Sequence, residues 1–178
     1  GRARRPTDAV IPFGYEPNLD EAGREAAISE WRNRDLDPDR HFIVCFFGTF
    51  GRVLDLHTVI LAARALARQG ASDVRFVLCG TGDTLEQNRA RASEAACMVF
   101  PGWVNAVQIG ALMSMSSLGL LPYKSRVDFK VSIPSKTVEY LSAGLPILTC
   151  LEGLVADVVT SESLGYTYKA GNVRSLVD

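Results

Sequence analysis

Ser135, Lys136 and Glu139 stand in the stretch SIPSKTVEYLSAGLPIL, Ser132 to Leu148, directly after a proline. The pattern predicts a helix over Lys136–Ala143, with Ser135 as its N-cap and Gly144 and Pro146 ending it. The exposed amides and the positive dipole end of such a helix suit a phosphate, and Lys136 adds a full positive charge there. Glu139 lies four residues past Ser135, on the same face and about 6 Å further along the axis. A nucleoside diphosphate fits that offset: pyrophosphate at the helix start, ribose one turn deeper, and a carboxylate accepting hydrogen bonds from two adjacent ribose hydroxyls. The plainer alternative has Lys136 solvated and Glu139 paired with a base such as Arg52.

Two glycine-bearing loops are the other candidates. GTFGR, Gly48 to Arg52, allows a tight turn and close backbone approach, and Arg52 can hold a phosphate through two charge-assisted hydrogen bonds. A simple strand-to-helix turn with a solvated arginine accounts for it equally well. GTGD, Gly80 to Asp83, lacks the third glycine of a dinucleotide fingerprint and follows the second strand instead of the first, which argues against NAD. Neither His41 nor His57 sits in a motif that marks a base, and no Ser, His, Asp arrangement or metal-ligand spacing occurs. No catalytic acid or base is assigned within the chain.

The elements that must position these residues are readable from apolar runs: Phe42–Phe47, Val74–Cys79, Cys97–Phe100, Leu118–Tyr123, Pro146–Cys150 and Gly165–Tyr168. They are nearly continuous, as strands buried on both faces are. Helical spacing of Leu56, Val59, Ile60, Ala63, Leu66 and Ala67 fills the first interval, with Gly70 as its stop. Asp83 with Glu86, and Asn105 with Gln108, read as capping boxes after the second and third strands. Alternating strands and helices predict a Rossmann-like, doubly wound α/β sandwich with a mostly parallel sheet of about six strands. Ligands of such sheets bind at the carboxyl ends of the strands, where all three candidate segments fall. Residues 1–40 read as a linker segment, including the extended VIPFGYEP, followed by a helix from Asp20 to Arg32; residues 41–178 read as the nucleotide-binding domain.

At 178 residues the chain is one domain long, and a chain of this size buries roughly 70% of its unfolded surface. A net charge of -1 excludes a global field for nucleic acid, and the basic run Gly1–Arg5 reads as a solvated tail. Cys45, Cys79, Cys97 and Cys150 are dispersed without a C-x-x-C pair and read as buried free thiols, which points to a reducing compartment, by default the cytosol. Neither a membrane-spanning run nor a signal peptide is readable. The missing initiator methionine and the ending VRSLVD read as a fragment of a longer protein, its C-terminal helices truncated.

Six segments in order, VIPFGY, FFGTFGR, VRFVLCGTGD, MVFPGWV, MSMSSLGLLPY and PSKTVEYLSAGLPIL, resemble the C-terminal, donor-binding half of GT-B glycosyltransferases of retaining family 4, the glycosyl transferases group 1. The resemblance covers Val10 to Asp178. It implies that Gly51 and Arg52 hold the pyrophosphate, that Ser135 and Lys136 form the phosphate-facing helix start, and that Glu139 binds the ribose. It places Trp103 and Val104 where the base is held by backbone contacts; core or interdomain packing is the alternative for Trp103. Two departures stand out. Val131 occupies the place of a second glutamate that would face the sugar, and VLDLH replaces a segment that often carries a lysine, a charge Lys136 would then supply.

The function so implied is transfer of a sugar from a nucleotide diphosphate sugar, expected to be UDP-linked, to a saccharide or lipid-linked acceptor bound mainly by an N-terminal domain. The PSK-x-x-EY form resembles a subgroup acting in bacterial surface polysaccharide assembly. No metal and no cofactor beyond the substrate are expected, since Arg52, Lys136 and the helix end would neutralise the leaving diphosphate. The setting expected is the cytoplasm, with peripheral association of the full-length protein at the inner membrane face. A GT-B-like sugar-nucleotide epimerase and a non-catalytic nucleotide-binding module are the alternatives.

Overall fold

The computed structural model describes Gly14 and residues 21–178, with side chains from Gly23 onward. The basic run Gly1–Arg5 and, Gly14 apart, the segment Val10–Pro17 lie outside the described residues.

Six strands build one sheet: β1 (Phe42–Phe47), β2 (Val74–Cys79), β3 (Met98–Gly102), β4 (Leu118–Leu121), β5 (Ile147–Thr149) and β6 (Gly165–Thr167). Their order is β3-β2-β1-β4-β5-β6 and every neighbouring pair is parallel, which makes this the doubly wound α/β sandwich that the apolar runs predict. Helices α1 (Glu21–Arg32), α2 (Leu56–Arg68), α3 (Leu85–Arg91), α4 (Ala106–Met115), α5 (Val127–Lys130), α6 (Ser135–Ser142), α7 (Leu154–Ser161) and α8 (Val173–Val177) lead into, connect and follow the strands. From β1 the chain winds outward to β3, then returns to lay β4 on the other side of β1. That reversal opens a crevice at the carboxyl ends of the strands.

Burial on both faces explains the runs of the inner strands, since five of the six residues of β1 and all four of β4 are buried, whereas the edge strands β3 and β6 are only half-buried or exposed. Helix α2 turns Leu56, Val59, Ile60 and Ala63 to the core, is capped by Asp55, which accepts from the Thr58 amide at 3.3 Å, and ends before Gly70 at φ +82°. The Asn105–Gln108 capping box forms with both arms, at 2.9 and 3.0 Å. The Asp83–Glu86 box does not. Thr84 holds the cap position of α3 without capping it, because its hydroxyl instead donates to the Phe50 carbonyl at 2.9 Å and fastens the β2–α3 turn to the loop after β1. Glu86 pairs with Arg89 at 3.2 Å. Strand β3 starts one residue later than its apolar run and continues through Pro101 and Gly102, across a register shift after Val77. Its edge position is where a sheet tolerates a proline.

Helix α1 packs on α4, and the indole N–H of buried Trp31 donates to the Gln108 carbonyl at 3.0 Å. Helix α6 is fixed by Tyr140, which is fully buried. Its ring fills the space over Gly119 of β4, and its hydroxyl donates to the carbonyls of Leu120 on β4 and Cys45 on β1, at 3.2 and 3.3 Å. The four cysteines are buried free thiols, and among the described residues no helix is long and apolar enough to cross a membrane.

Candidate functional site

A cleft of about 350 Å³ opens over the carboxyl ends of β1, β2 and β3, within the size range of small-molecule sites. Phe47, Gly48 and Thr49 supply one wall, Gly80 and Thr81 the floor, Trp103 and Val104 the far side, and Lys136 and Glu139 of α6 the remaining wall. Backbone hydrogen bonds carry the sheet into these loops: Gly48 donates to Cys79 at 3.0 Å, Gly80 to Gly102 at 2.7 Å and Phe50 to Thr81 at 2.8 Å.

Helix α6 begins one residue earlier than its sequence pattern predicts. Pro134, at φ -58° and ψ 141°, occupies the cap position, and Ser135 is the first helical residue, so its hydroxyl makes no cap bond. The correction has a physical cause. Proline presets the extended entry while its carbonyl accepts from the Thr137 amide at 2.9 Å, and a serine already in helical conformation cannot turn its side chain back onto the next amides. The start of α6 therefore keeps amides with no capping side chain.

Lys136 extends from that start to Gly48. A Cβ at Gly48 would lie 2.6 Å from Lys136 Cε and 2.7 Å from Nζ and so would displace the end of the lysine, and Gly48 has φ +144°, which side chains rarely adopt. The ammonium stands 5.7 Å and 6.0 Å from the ring centres of Phe46 and Phe47. It is half-buried and no salt bridge holds it among the described residues. Burial pushes its pKa down, and the charge of Glu139 one turn away partly opposes that shift. Glu139 is half-buried and forms no ion pair with Arg52, which leaves the plain pairing alternative without support. A cation and an anion, each without a hydrogen-bonded partner among the described residues and spaced along one helix in a cleft, form a site preset for a ligand bearing both an anion and hydroxyls. Cys79 also lines the cleft, but burial, with Cys45 nearby, pushes its thiol up to about 12, far from a nucleophilic thiolate.

Of the residues singled out from sequence, the structure brings Trp103, Val104, Lys136 and Glu139 into one cleft. Val104 is buried in its wall, whereas Trp103 is 71% exposed and so is not a core residue. Gly51 and the exposed Arg52 do not line the cleft. Their loop is tied to the loop after β4, with Lys124 donating to Val53 at 2.8 Å and Asp55 to Pro122 at 2.7 Å, so Arg52 and the exposed Lys124 sit on joined loops. Gly48, Gly80 and Thr81 contribute walls that sequence reasoning did not assign. The signal was their position immediately after β1 and β2, where a parallel sheet presents its backbone to ligands. Among the described residues no three or more His, Cys, Asp or Glu gather as metal ligands.

The family model of glycosyl transferases group 1 matches residues 27–178. Among solved structures, WaaG, a glycosyltransferase involved in lipopolysaccharide biosynthesis, superposes with a TM-score of 0.66 at 17% identity, covering 90% of this chain and 41% of that one. Anabaena Alr3699/HepE in complex with UDP-glucose gives 0.63 at 20% identity, covering 85% and 41%. The catalytic domain of cholesterol-alpha-glucosyltransferase from Helicobacter pylori gives 0.58 at 16%, covering 76% and 81%. Identities of this size show the shared fold. The chain spans about two fifths of the length of the first two, 41% of each. No curated protein sequence matches it.

Proposed function

The chain belongs to the glycosyl transferases group 1 family and carries a Rossmann-like half of the GT-B architecture, and from that premise we propose that its cleft binds the nucleotide part of a sugar donor. The observation that carries this reading is the half-buried Lys136 ammonium, unpaired among the described residues and seated on Gly48 at the start of α6, with Glu139 one turn deeper. The diphosphate lies against Lys136 and the first amides of α6, where the negative charge that develops as the sugar leaves is stabilised by groups already in place. In this reading Gly51 and Arg52, although outside the cleft lining, contribute a further contact to the same diphosphate. Glu139 accepts from the ribose hydroxyls, and the base lies between Val104 and Trp103.

UDP is the nucleotide of this reading, in keeping with a neighbour solved with UDP-glucose. The reaction is a retaining hexosyl transfer to a saccharide or lipid-linked acceptor held by an N-terminal domain. Its setting is bacterial surface polysaccharide assembly at the cytoplasmic membrane face. Calorimetry of the chain with UDP tests the binding step. The reading requires that Glu139→Ala and Lys136→Ala each weaken UDP at least tenfold, the size of a lost charge-assisted hydrogen bond. Unchanged affinity in both variants overturns it.

A further inference from the structure

Resting on the nucleotide reading above, we propose that Gln108 is a positioning residue: through its bond to Glu30 of α1 it fixes the Trp103–Val104 wall and so governs which base the cleft accepts. Gln108, Glu30 and Trp31 do not line the cleft themselves. Trp103 and Val104 form a short segment held at both ends. Before it, the Gly102 carbonyl accepts from the Gly80 amide at 2.7 Å, which ties that end to the cleft floor. After it, Asn105 opens α4, whose Ile109 also lines the cleft. The wall therefore goes where the first turn of α4 goes.

That turn is held from the side of α1. Gln108 Oε1 accepts from the Asn105 amide at 3.0 Å, and Gln108 Nε2 donates to the Glu30 carboxylate at 2.8 Å. The Gln108 carbonyl accepts from the indole of Trp31, the residue after Glu30. A backbone amide can only donate and an ionised carboxylate can only accept, so the group between them must accept on one side and donate on the other. Glutamine meets that demand. Glutamate, the other usual residue at this place in a capping box, would still cap α4 but would set its charge against Glu30. The glutamine thus serves the contact with α1 as well as the cap. UDP and ADP share the ribose and diphosphate and differ in the base. A displaced wall therefore changes their ratio, whereas a general weakening of the fold lowers both alike.

Calorimetry of the 178-residue chain with UDP and with ADP tests the proposal in Gln108→Glu, Glu30→Gln and the double variant. The two side chains meet at the surface, so neither change threatens the fold. The unaltered chain is expected to prefer UDP. Gln108→Glu is expected to narrow that preference about fivefold, the equivalent of one net hydrogen bond. Glu30→Gln alone is expected to leave it unchanged, because an amide oxygen still accepts from Gln108 Nε2. Combined with Gln108→Glu it is expected to restore the preference, since the amide introduced in α1 then donates to the carboxylate introduced in α4. A ratio unchanged in Gln108→Glu, or narrowed and not restored in the double variant, overturns the role of Gln108 and leaves UDP binding standing. Equal binding of UDP and ADP by the unaltered chain takes the base off this wall and overturns the inference. No binding of UDP overturns the nucleotide reading and this inference with it.

Discussion

Lys136 lies against the bare backbone of Gly48, two residues 88 positions apart brought together because β1 and the β4–α6 segment are neighbours at the sheet's reversal. The contact makes each residue depend on the other. Gly48→Ala would place a methyl 2.6 Å from Lys136 Cε, at a φ of +144° that disfavours any side chain. UDP affinity is expected to fall about tenfold in Gly48→Ala and in Lys136→Ala, and the double variant to lose little more than either alone. Calorimetry of the four proteins checks this; additive losses would mean that the two act separately.

The lowered pKa of Lys136 gives opposite pH slopes to binding and to stability. Burial holds the folded-state value below the ordinary 10.5, while the unfolded chain keeps its proton up to that value. Between the two the unfolded state carries more protons, so the ligand-free chain gains stability from this group as pH rises. UDP binding runs the other way, because the ammonium it needs is lost over the same alkaline window. Denaturation and calorimetry across that window measure both slopes. Lys136→Arg, charged throughout, is expected to flatten the binding slope.

Trp103 should report on the cleft by fluorescence. The chain has two tryptophans, and Trp31 is 2% exposed whereas Trp103 is 71% exposed and lines the cleft. Saturating UDP is expected to quench or blue-shift the exposed component of the emission, and Trp103→Phe to abolish that change. An identical response in the variant would remove Trp103 from the base site.

Tyr140 predicts a stability effect separable from binding. Tyr140→Phe removes a buried hydroxyl that serves two carbonyls and is expected to cost about 1–3 kcal/mol, since those acceptors lose their partner. Gly119→Ala sets a methyl 2.5 Å from the Tyr140 ring and should cost a similar amount, about 1–3 kcal/mol, through overpacking. Chemical denaturation measures each. If Gly119→Ala is neutral, α6 is free to move off the sheet.

Much of the fold was legible because β1, β2 and β4 are buried on both faces and therefore announce themselves as apolar runs. Lys136 and Glu139 were legible because a proline marks the helix boundary and helical spacing fixes their offset. The wall at Gly48 was not, since no local pattern states which of the glycines in GTFGR will meet a lysine far along the chain. Caps failed where a side chain had a better partner: Thr84 bonds the Phe50 carbonyl, and Pro134 enters α6 without help from Ser135. The exposure of Val127 goes with Phe129 turning inward onto Tyr123, a tertiary choice that four helical residues do not encode.

Strand β1 is registered with β2 over six residue pairs but with β4 over only two, Val44 with Leu118 and Cys45 with Gly119. Pulled apart along its width, the sheet has its thinnest seam at that join, under the helix that carries Lys136 and Glu139. The Tyr140 hydroxyl reaches a carbonyl on each side and so works as a rivet across the seam. Mechanical strength and ligand geometry are then vested in one helix, and a force or mutation that parts the two halves would dismantle the cleft before it unravels either half.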